Sequence, residues 1–216
     1  MDETREGPAL YLALPAAVWA DAERWAPWHA GLGQLAPACV LLERGEPVAM
    51  APVIAAIQAH EIAVMVSGTL NQTPVASCDG VHLDPPEEGW TAAALAQARR
   101  LAGELNLGIG AGLSRHAAML AGEAGADYIA FGVPMFSTDS RAFSAEMTHE
   151  GAALTAWWGE VMEIPVALVV GPVRYQGAVA ADFMVPWPDL KTGVSAGEGA
   201  DFLWRPGSEA GKGHEV

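Results

Sequence analysis

The sequence predicts a single α/β domain folded as an eight-stranded (β/α)8 TIM barrel, and three observations lead to this prediction. Short apolar strand patterns alternate with helical stretches along most of the chain, as parallel βαβ units do. Two of the clearest strand patterns, 79–83 and 124–132, start 45 positions apart, which leaves room for one more strand and its helices. The 216 residues can fill one core without a second domain. An open doubly wound sheet is the alternative, because it would bury its strands equally well.

Eight segments have the length and apolar content of buried strands. In chain order they are 9–14, 39–44, 62–66, 80–83, 107–110, 127–131, 164–170 and 182–185. The barrel is therefore expected over 9–190. Residues 191–216 are expected to form a C-terminal extension whose last part is mobile, because they are rich in Gly, Glu and Ser.

The clearest helix is predicted over 90–105, where apolar residues recur on one face. These residues are Leu95, Ala98, Leu101 and Leu105. A second helix is predicted over 152–162, with Trp157 or Trp158 packed inward against the barrel.

Helix start and stop signals place three further helices. Residues 16–32 are expected to be helical with a break near Pro27. Pro47 can open a helix that ends near His60, and Ser114 is a candidate N-cap for the next. Residues 68–78 leave room only for a short helix.

Charge and composition exclude several classes of protein. The net charge of −15 argues against binding to nucleic acid, since few cations could neutralise phosphates. No apolar run is long enough to span a membrane and no secretory signal is visible, so a cytoplasmic protein is expected. Cys39 and Cys78 are expected to be small buried residues, and the histidines lack the spacing of a zinc site.

Residues 79–83 and 125–132, with a looser match around 164–171, carry a resemblance to a known family. Over about 9–187 the chain resembles the thiamine phosphate synthase family, which includes thiazole tautomerase relatives on the same barrel. The resemblance implies a Mg²⁺-dependent transferase of thiamine biosynthesis. Such an enzyme joins a pyrimidine diphosphate to a thiazole phosphate and releases pyrophosphate.

The resemblance also implies candidate site residues at the ends of strands, although it assigns no catalytic residue in this chain. The candidates for substrate or phosphate binding are Arg44, His82, Gly110, Thr138, Arg141 and Gly171. The candidates for holding magnesium are Asp84 and Glu87.

Each candidate also has a structural interpretation. Arg44 could instead pair with Glu43 or Glu46 at the surface, and His82 could be a hydrogen-bonded core histidine. Asp84 could simply fix a turn, with a glutamate starting the next helix.

The strand ends depart from the family pattern at several places. Residues 67–69 read Ser-Gly-Thr where the family has Asn-Asp-Arg, and Asp139 replaces a lysine that would face pyrophosphate. Pro172 lacks an N–H for phosphate, and 186–187 read Pro-Trp in place of Val-Ser. These changes predict a diverged synthase with weak or no joining activity. The alternatives are an active synthase with relocated ligands and a non-catalytic module that binds a small molecule or a protein.

The tryptophans near the end of the chain bear on these alternatives. Trp187 and Trp204 are expected to fill the barrel mouth where phosphate would sit, the other interpretation being a platform for stacking a heterocycle. A homodimer that hides tryptophan-rich surface is a further expectation.

Overall fold

A computed structural model of the protein describes residues 7–136, 144–170 and 180–186. Eight parallel strands pair in chain order, and the eighth returns to pair with the first. The predicted (β/α)8 barrel is therefore confirmed, and the open doubly wound sheet is not formed. Thr138, Arg141, Gly171, both predicted mouth tryptophans and the extension over 191–216 lie outside the described residues.

The strands lie close to the predicted segments. They are β1 Ala9–Leu14, β2 Cys39–Leu42, β3 Ala63–Gly68, β4 Gly80–Leu83, β5 Asn106–Gly112, β6 Tyr128–Phe131, β7 Val166–Val170 and β8 Phe183–Pro186. The helices of the described residues are α1 Ala16–Trp19, α2 Ala22–Leu35, α3 Pro47–Gln58, α4 Ala92–Ala102, α5 Arg115–Glu123 and α6 Ala145–Val161. Pro47 opens α3, Ser114 caps α5 and Trp158 of α6 is buried, as predicted.

The predicted helix break near Pro27 is wrong, because α2 continues through that residue. The break lies at residues 20–21 instead. The Asp21 carboxylate accepts the backbone N–H groups of Glu23 and Arg24 at 3.0 and 3.1 Å, which starts a new helix there. Proline removes one hydrogen bond from α2, but the helix is held by its buried face of Trp28 and Leu32.

The predicted buried face of α4 is correct for Leu95 and Ala98 but wrong for Leu101, which is 38 % exposed. The reason is the connection from β3 to β4, where residues 69–79 form no helix. The side of α4 that faces this connection is covered only by a loop, and Leu101 lines a shallow depression there. Ala102 takes the buried position instead.

The barrel separates its side chains into an inner and an outer set. The outer sides of the strands pack against the helices in three apolar clusters. The inner side holds a separate cluster, which includes Tyr11, Leu41, Met65, Tyr128 and Val169. A Cβ at Gly108 would overlap the ring of Tyr128, so this glycine makes the space that the tyrosine fills.

Three aspartates pin adjacent strands together at the amino end of the barrel. Each lies directly before an even-numbered strand, and its carboxylate accepts the backbone N–H of a residue in the preceding strand. Its own backbone N–H donates to the carbonyl of that same residue. The pairs are Asp79 with Val64, Asp127 with Leu107 and Asp182 with Val166, with carboxylate contacts of 2.7, 2.7 and 2.8 Å.

Ala38 occupies the equivalent position before β2. Its backbone N–H donates to the carbonyl of Leu10 at 2.9 Å, as the aspartates do to their partners, but no carboxylate is present. The first strand pair thus keeps the backbone half of this arrangement alone.

None of the helices in the described part of the chain is long and apolar enough to cross a membrane.

Replacing Asp79 with alanine tests this pinning. We expect the free energy of unfolding to fall by about 1–3 kcal/mol, because the Val64 N–H and the Gln58 side-chain amide lose their carboxylate acceptor. Asp79→Asn keeps one acceptor oxygen and should lose less. Urea denaturation of the two variants measures the difference, and an Asp79→Ala variant as stable as the parent would contradict the assignment.

Candidate functional site at the carboxyl end of the barrel

The carboxyl ends of the parallel strands meet at one face of the barrel, where barrel proteins generally place their functional residues. Three of the predicted site residues lie there: Arg44 follows β2, Asp84 follows β4 and Gly110 lies near the end of β5. His82 lies one step deeper, inside β4, and Glu87 lies in the turn after it.

A column of hydrogen-bonded polar side chains runs through the barrel interior below this face. The hydroxyls of Tyr11 and Tyr128 are 2.7 Å apart, and the Tyr128 hydroxyl lies 2.8 Å from Nδ1 of His82. The imidazole is fully buried and stacks on the Tyr128 ring. The prediction that His82 is a hydrogen-bonded core histidine is therefore met at Nδ1.

Burial keeps the lower part of this column neutral. It raises the pKa values of Tyr11 and Tyr128 well above the ordinary value for tyrosine, because a phenolate would lose its hydration. Burial likewise raises the pKa of the Cys39 thiol to about 12, with a hydrogen bond from Tyr11 acting in the opposite direction. Cys78 is buried as predicted, whereas Cys39 is only partly buried, and its raised pKa means that it is not a reactive thiol.

The other ring nitrogen of His82 points toward the barrel mouth. Its Nε2 is buried without a hydrogen-bond partner and lies 3.4 Å from Oδ1 of Asp84. Asp84 is 27 % exposed, so the pair connects the interior column to the carboxyl face. A buried polar atom in this state is uncommon and often marks a functional or strained position.

Asp84 also makes a contact at the carboxyl face with a residue that is distant in sequence. Its Oδ2 accepts the backbone N–H of Met135 at 3.0 Å, across 51 positions of chain. The Met135 side chain is 1 % exposed and packs with the interior cluster, together with Val133. The turn after β6 is therefore folded over the end of the barrel, and Asp84 holds it there.

Gly110 is shaped by this arrangement and offers no side-chain donor. A Cβ at this position would come within 2.8 Å of Oδ1 of Asp84, so a larger residue would displace the carboxylate. Its carbonyl accepts the indole N–H of Trp90 at 2.7 Å. Gly110 thus provides space for Asp84.

Arg44 reaches toward the connection from β3 to β4. Its guanidinium donates to the carbonyl of Thr73 at 2.9 Å, and its backbone N–H donates to the Ser67 hydroxyl at 2.9 Å. The Glu43 carboxylate accepts the backbone N–H of Ala16 at 2.8 Å, which holds the first helix in place. The guanidinium contact is therefore made to a carbonyl, not to either of the glutamates that the sequence offered.

The two candidate magnesium ligands, Asp84 and Glu87, lie in different surroundings in the structure. Both oxygens of Asp84 are directed at protein groups, and Glu87 lies in an exposed turn ahead of α4. Within residues 7–136, 144–170 and 180–186, no three carboxylate, imidazole or thiol groups cluster as metal ligands. The structural interpretation of Asp84 as a residue that fixes a turn is correct, but the turn it holds is the one after β6, through Met135, rather than its own turn after β4. The helix after Glu87 starts from the N-cap Thr91, not from a glutamate.

Sequence reasoning missed the side chains that complete this site, namely Tyr11, Tyr128 and Met135. The two tyrosines lie in segments correctly predicted as strands, but their inward direction depends on register. The pairing of Gly108 with Tyr128 is a signal that could have found them, since a glycine-rich strand beside a tyrosine indicates a ring that fills the gap.

The fold defines a parallel α/β barrel protein. The candidate site, with His82, Asp84 and the turn of Met135, lies toward the carboxyl end of its strands. A model of the thiamine monophosphate synthase family matches residues 47–178, more than half of the chain. The chain belongs to this family, as the resemblance indicated.

Two curated relatives agree with this assignment. The thiamine-phosphate synthase of Rhodospirillum centenum is 35 % identical over 116 residues, which cover 53 % of this chain and 52 % of the relative. The thiamine-phosphate synthase of Erythrobacter litoralis is 37 % identical over 121 residues, which cover 56 % and 54 %. The chain spans about half the length of the curated relatives it matches.

Solved structures support the fold alone. The thiamine phosphate pyrophosphorylase of Pyrococcus furiosus superposes with a TM-score of 0.59 at 17 % identity, covering 90 % of this chain and 95 % of that one. A tryptophan synthase chain from M. tuberculosis gives a TM-score of 0.56 at 16 % identity, covering 92 % and 93 %.

The raised pKa of Cys39 predicts alkaline destabilisation. Between pH 9 and about 12 the unfolded chain loses this thiol proton while the folded chain keeps it, so stability falls as pH rises. The expected slope from this group is about 1.4 kcal/mol per pH unit. The buried tyrosines add to it above pH 10 with the same sign. Urea denaturation at several pH values should show a flatter slope for Cys39→Ala, and equal slopes would refute the prediction.

The Asp84 contact predicts the exchange behaviour of the Met135 amide. Asp84→Ala removes the acceptor of its N–H, so hydrogen exchange at this amide should quicken at least about tenfold. Asp84→Asn keeps an acceptor oxygen and should quicken it less. Exchange measured by NMR or mass spectrometry decides, with the β5 amide of Leu107 as an internal control. Unchanged exchange in Asp84→Ala would mean that the turn is held by other contacts.

Proposed function

We propose that this member of the thiamine monophosphate synthase family has lost the usual joining of a pyrimidine diphosphate to a thiazole phosphate. The observation that carries the proposal is the Asp84–Met135 contact. The carboxylate nearest the mouth holds a turn whose methionine fills the end of the barrel. A substrate with two charged phosphates would have to displace that apolar turn.

The electrostatics of the described residues support the same proposal. Departure of pyrophosphate needs cations or N–H donors where negative charge develops. The described mouth instead presents the carboxylate of Asp84, and the Arg44 guanidinium is engaged by Thr73 on the side of the β3–β4 connection. A carboxylate at this place repels a diphosphate.

The interior column cannot make up for the missing charges. Tyr11 and Tyr128 are held neutral by burial and bond to one another, so neither hydroxyl is directed at the mouth. Among the buried side-chain nitrogen and oxygen atoms of the described residues, only Nε2 of His82 lacks a hydrogen-bond partner, and Oδ1 of Asp84 lies 3.4 Å from it. One imidazole does not replace a set of phosphate donors.

An assay for thiamine phosphate formation tests the proposal directly. The purified chain is mixed with pyrimidine diphosphate, thiazole phosphate and Mg²⁺, and the Rhodospirillum centenum synthase is assayed in parallel. We expect turnover at least about a thousandfold below that of the control enzyme, since removal of a single oxyanion donor alone commonly costs a hundredfold to a thousandfold. Calorimetry with each substrate should show no Mg²⁺-dependent binding.

A different outcome would identify the relocated-ligand alternative. Turnover within about tenfold of the control that is abolished by both Asp84→Asn and Glu87→Gln would show an active synthase with a shifted metal site. Thr138→Ala and Arg141→Ala extend the comparison to the candidates outside the described residues. Complementation of a thiamine auxotroph gives an independent readout of the same question.

A further inference from the structure

Two histidines that are far apart in the sequence meet on the outside of the barrel. His29 lies in α2, and His60 lies just after the end of α3. Their ring centroids are 5.7 Å apart, and the ring planes are inclined at 77°. Both residues are exposed. The pair forms because α2 packs against α3, so the spacing of histidines along the chain does not reveal it.

The imidazole nitrogens of this pair are not used by the protein. Among the histidines of the described residues, only His82 makes a hydrogen bond or an ion-pair contact through its ring. A Cβ at Gly33 would lie 3.7 Å from Nδ1 of His60, so the His60 ring rests against α2 at a residue without a side chain. The two exposed rings therefore have nitrogen atoms available for a ligand.

Trp25 restrains one ring of the pair. Its indole stacks on the imidazole of His29, with the centroids 5.5 Å apart and the planes inclined at 24°. Trp25 precedes His29 by one turn of α2, the spacing at which side chains on a helix contact one another. The stack limits the rotation of a side chain that is otherwise exposed. A ligand that binds a ring already held in place loses less free energy to ordering it.

We propose that His29 and His60 together bind a divalent transition-metal ion of the class that favours imidazole, such as Zn²⁺. Two imidazoles on one zinc ion place their ring centres about 5–6 Å apart, because each Zn–N bond is about 2.0–2.1 Å long. The observed separation of 5.7 Å lies within this range. Water completes the coordination, so the site is open and its ion exchangeable, unlike a structural zinc site with four protein ligands.

The charges around the pair favour a cation. The net charge of the chain is −15, and a field of this sign concentrates divalent cations near the surface. Residues 25–42 and 47–60 contain no lysine or arginine. Arg24, the basic residue next to this part of α2, donates to the carbonyl of Ala17 at 3.4 Å and is thus directed toward α1. Glu61 directly follows His60 and is exposed, so the nearest charge after His60 in the chain is negative.

A bound ion would tie α2 to the end of α3. An ion that binds the folded chain more tightly than the unfolded chain raises stability with its concentration. The site lies on the outside of the barrel, so it does not depend on the proposed loss of joining activity. It also differs in chemistry from a magnesium site, because Mg²⁺ prefers oxygen ligands.

Titration calorimetry with Zn²⁺ tests the proposal on the full chain without a histidine tag. We expect Zn²⁺ to bind the parent, and His29→Ala and His60→Ala each to weaken this binding at least about tenfold. The double variant should bind about as weakly as either single variant, because the first substitution already removes the chelate. His116→Ala is the matched control, since His116 is an exposed histidine of α5. Circular dichroism verifies that every variant is folded.

Fluorescence provides a second readout, because Cu²⁺ binds imidazole more tightly than Zn²⁺ and quenches a nearby indole. The quenching that the parent shows beyond Trp25→Phe reports an ion beside His29. In His60→Ala this quenching should require at least about tenfold more Cu²⁺, although the Trp25–His29 stack is kept.

Three results would overturn the proposal. The parent binds no Zn²⁺, the double variant binds it as tightly as the parent, or His116→Ala loses as much affinity as His29→Ala. Each would mean that His29 and His60 make a packing contact only. An Asp84→Asn variant should bind Zn²⁺ like the parent, which separates this site from the barrel mouth.

Discussion

The barrel depends on the carboxylates that join its strands in pairs at the amino end. The first ladder amide of a strand has no partner from the ladder itself, and Asp79, Asp127 and Asp182 each supply one. Each aspartate also donates its own N–H to the same residue, so the two strands are held in a single register. Register decides which side chains face inward, because a shift by one residue exchanges the two faces of a strand.

The filled interior follows from that register. It sets Tyr128 opposite Gly108 and beside His82, where one hydroxyl bridges a second tyrosine and the imidazole. The side chains of this polar column hydrogen-bond to one another, and only Nε2 of His82 is left without a partner, 3.4 Å from Asp84. Asp84 then serves the architecture by holding the turn of Met135 over the interior. Met135 thus packs into the interior at the face that barrel proteins generally use for chemistry.

Family membership and the proposed loss of activity are compatible, because fold and site rest on different residues. The residues that carry the resemblance lie mainly in or next to the strands, whereas the departures that the resemblance predicts lie at strand ends. Arg44 illustrates the difference. It follows β2 as the resemblance implies, but its guanidinium donates to the carbonyl of Thr73 in the β3–β4 connection.

Local patterns in the sequence determined the eight strands, the helix starts at Pro47 and Ser114 and the burial of Trp158, because each depends on residues close together in the chain. They wrongly predicted a helix break at Pro27. The helix continues through this residue because packing of its buried face outweighs the one hydrogen bond that proline removes. The exposure of Leu101 depended on a neighbouring connection that forms no helix. The contact of Asp84 with Met135 joins residues 51 positions apart, and only closure of the barrel brings them together. Tertiary structure alone therefore decided whether the carboxylate at the mouth was free for a ligand or engaged by the protein itself.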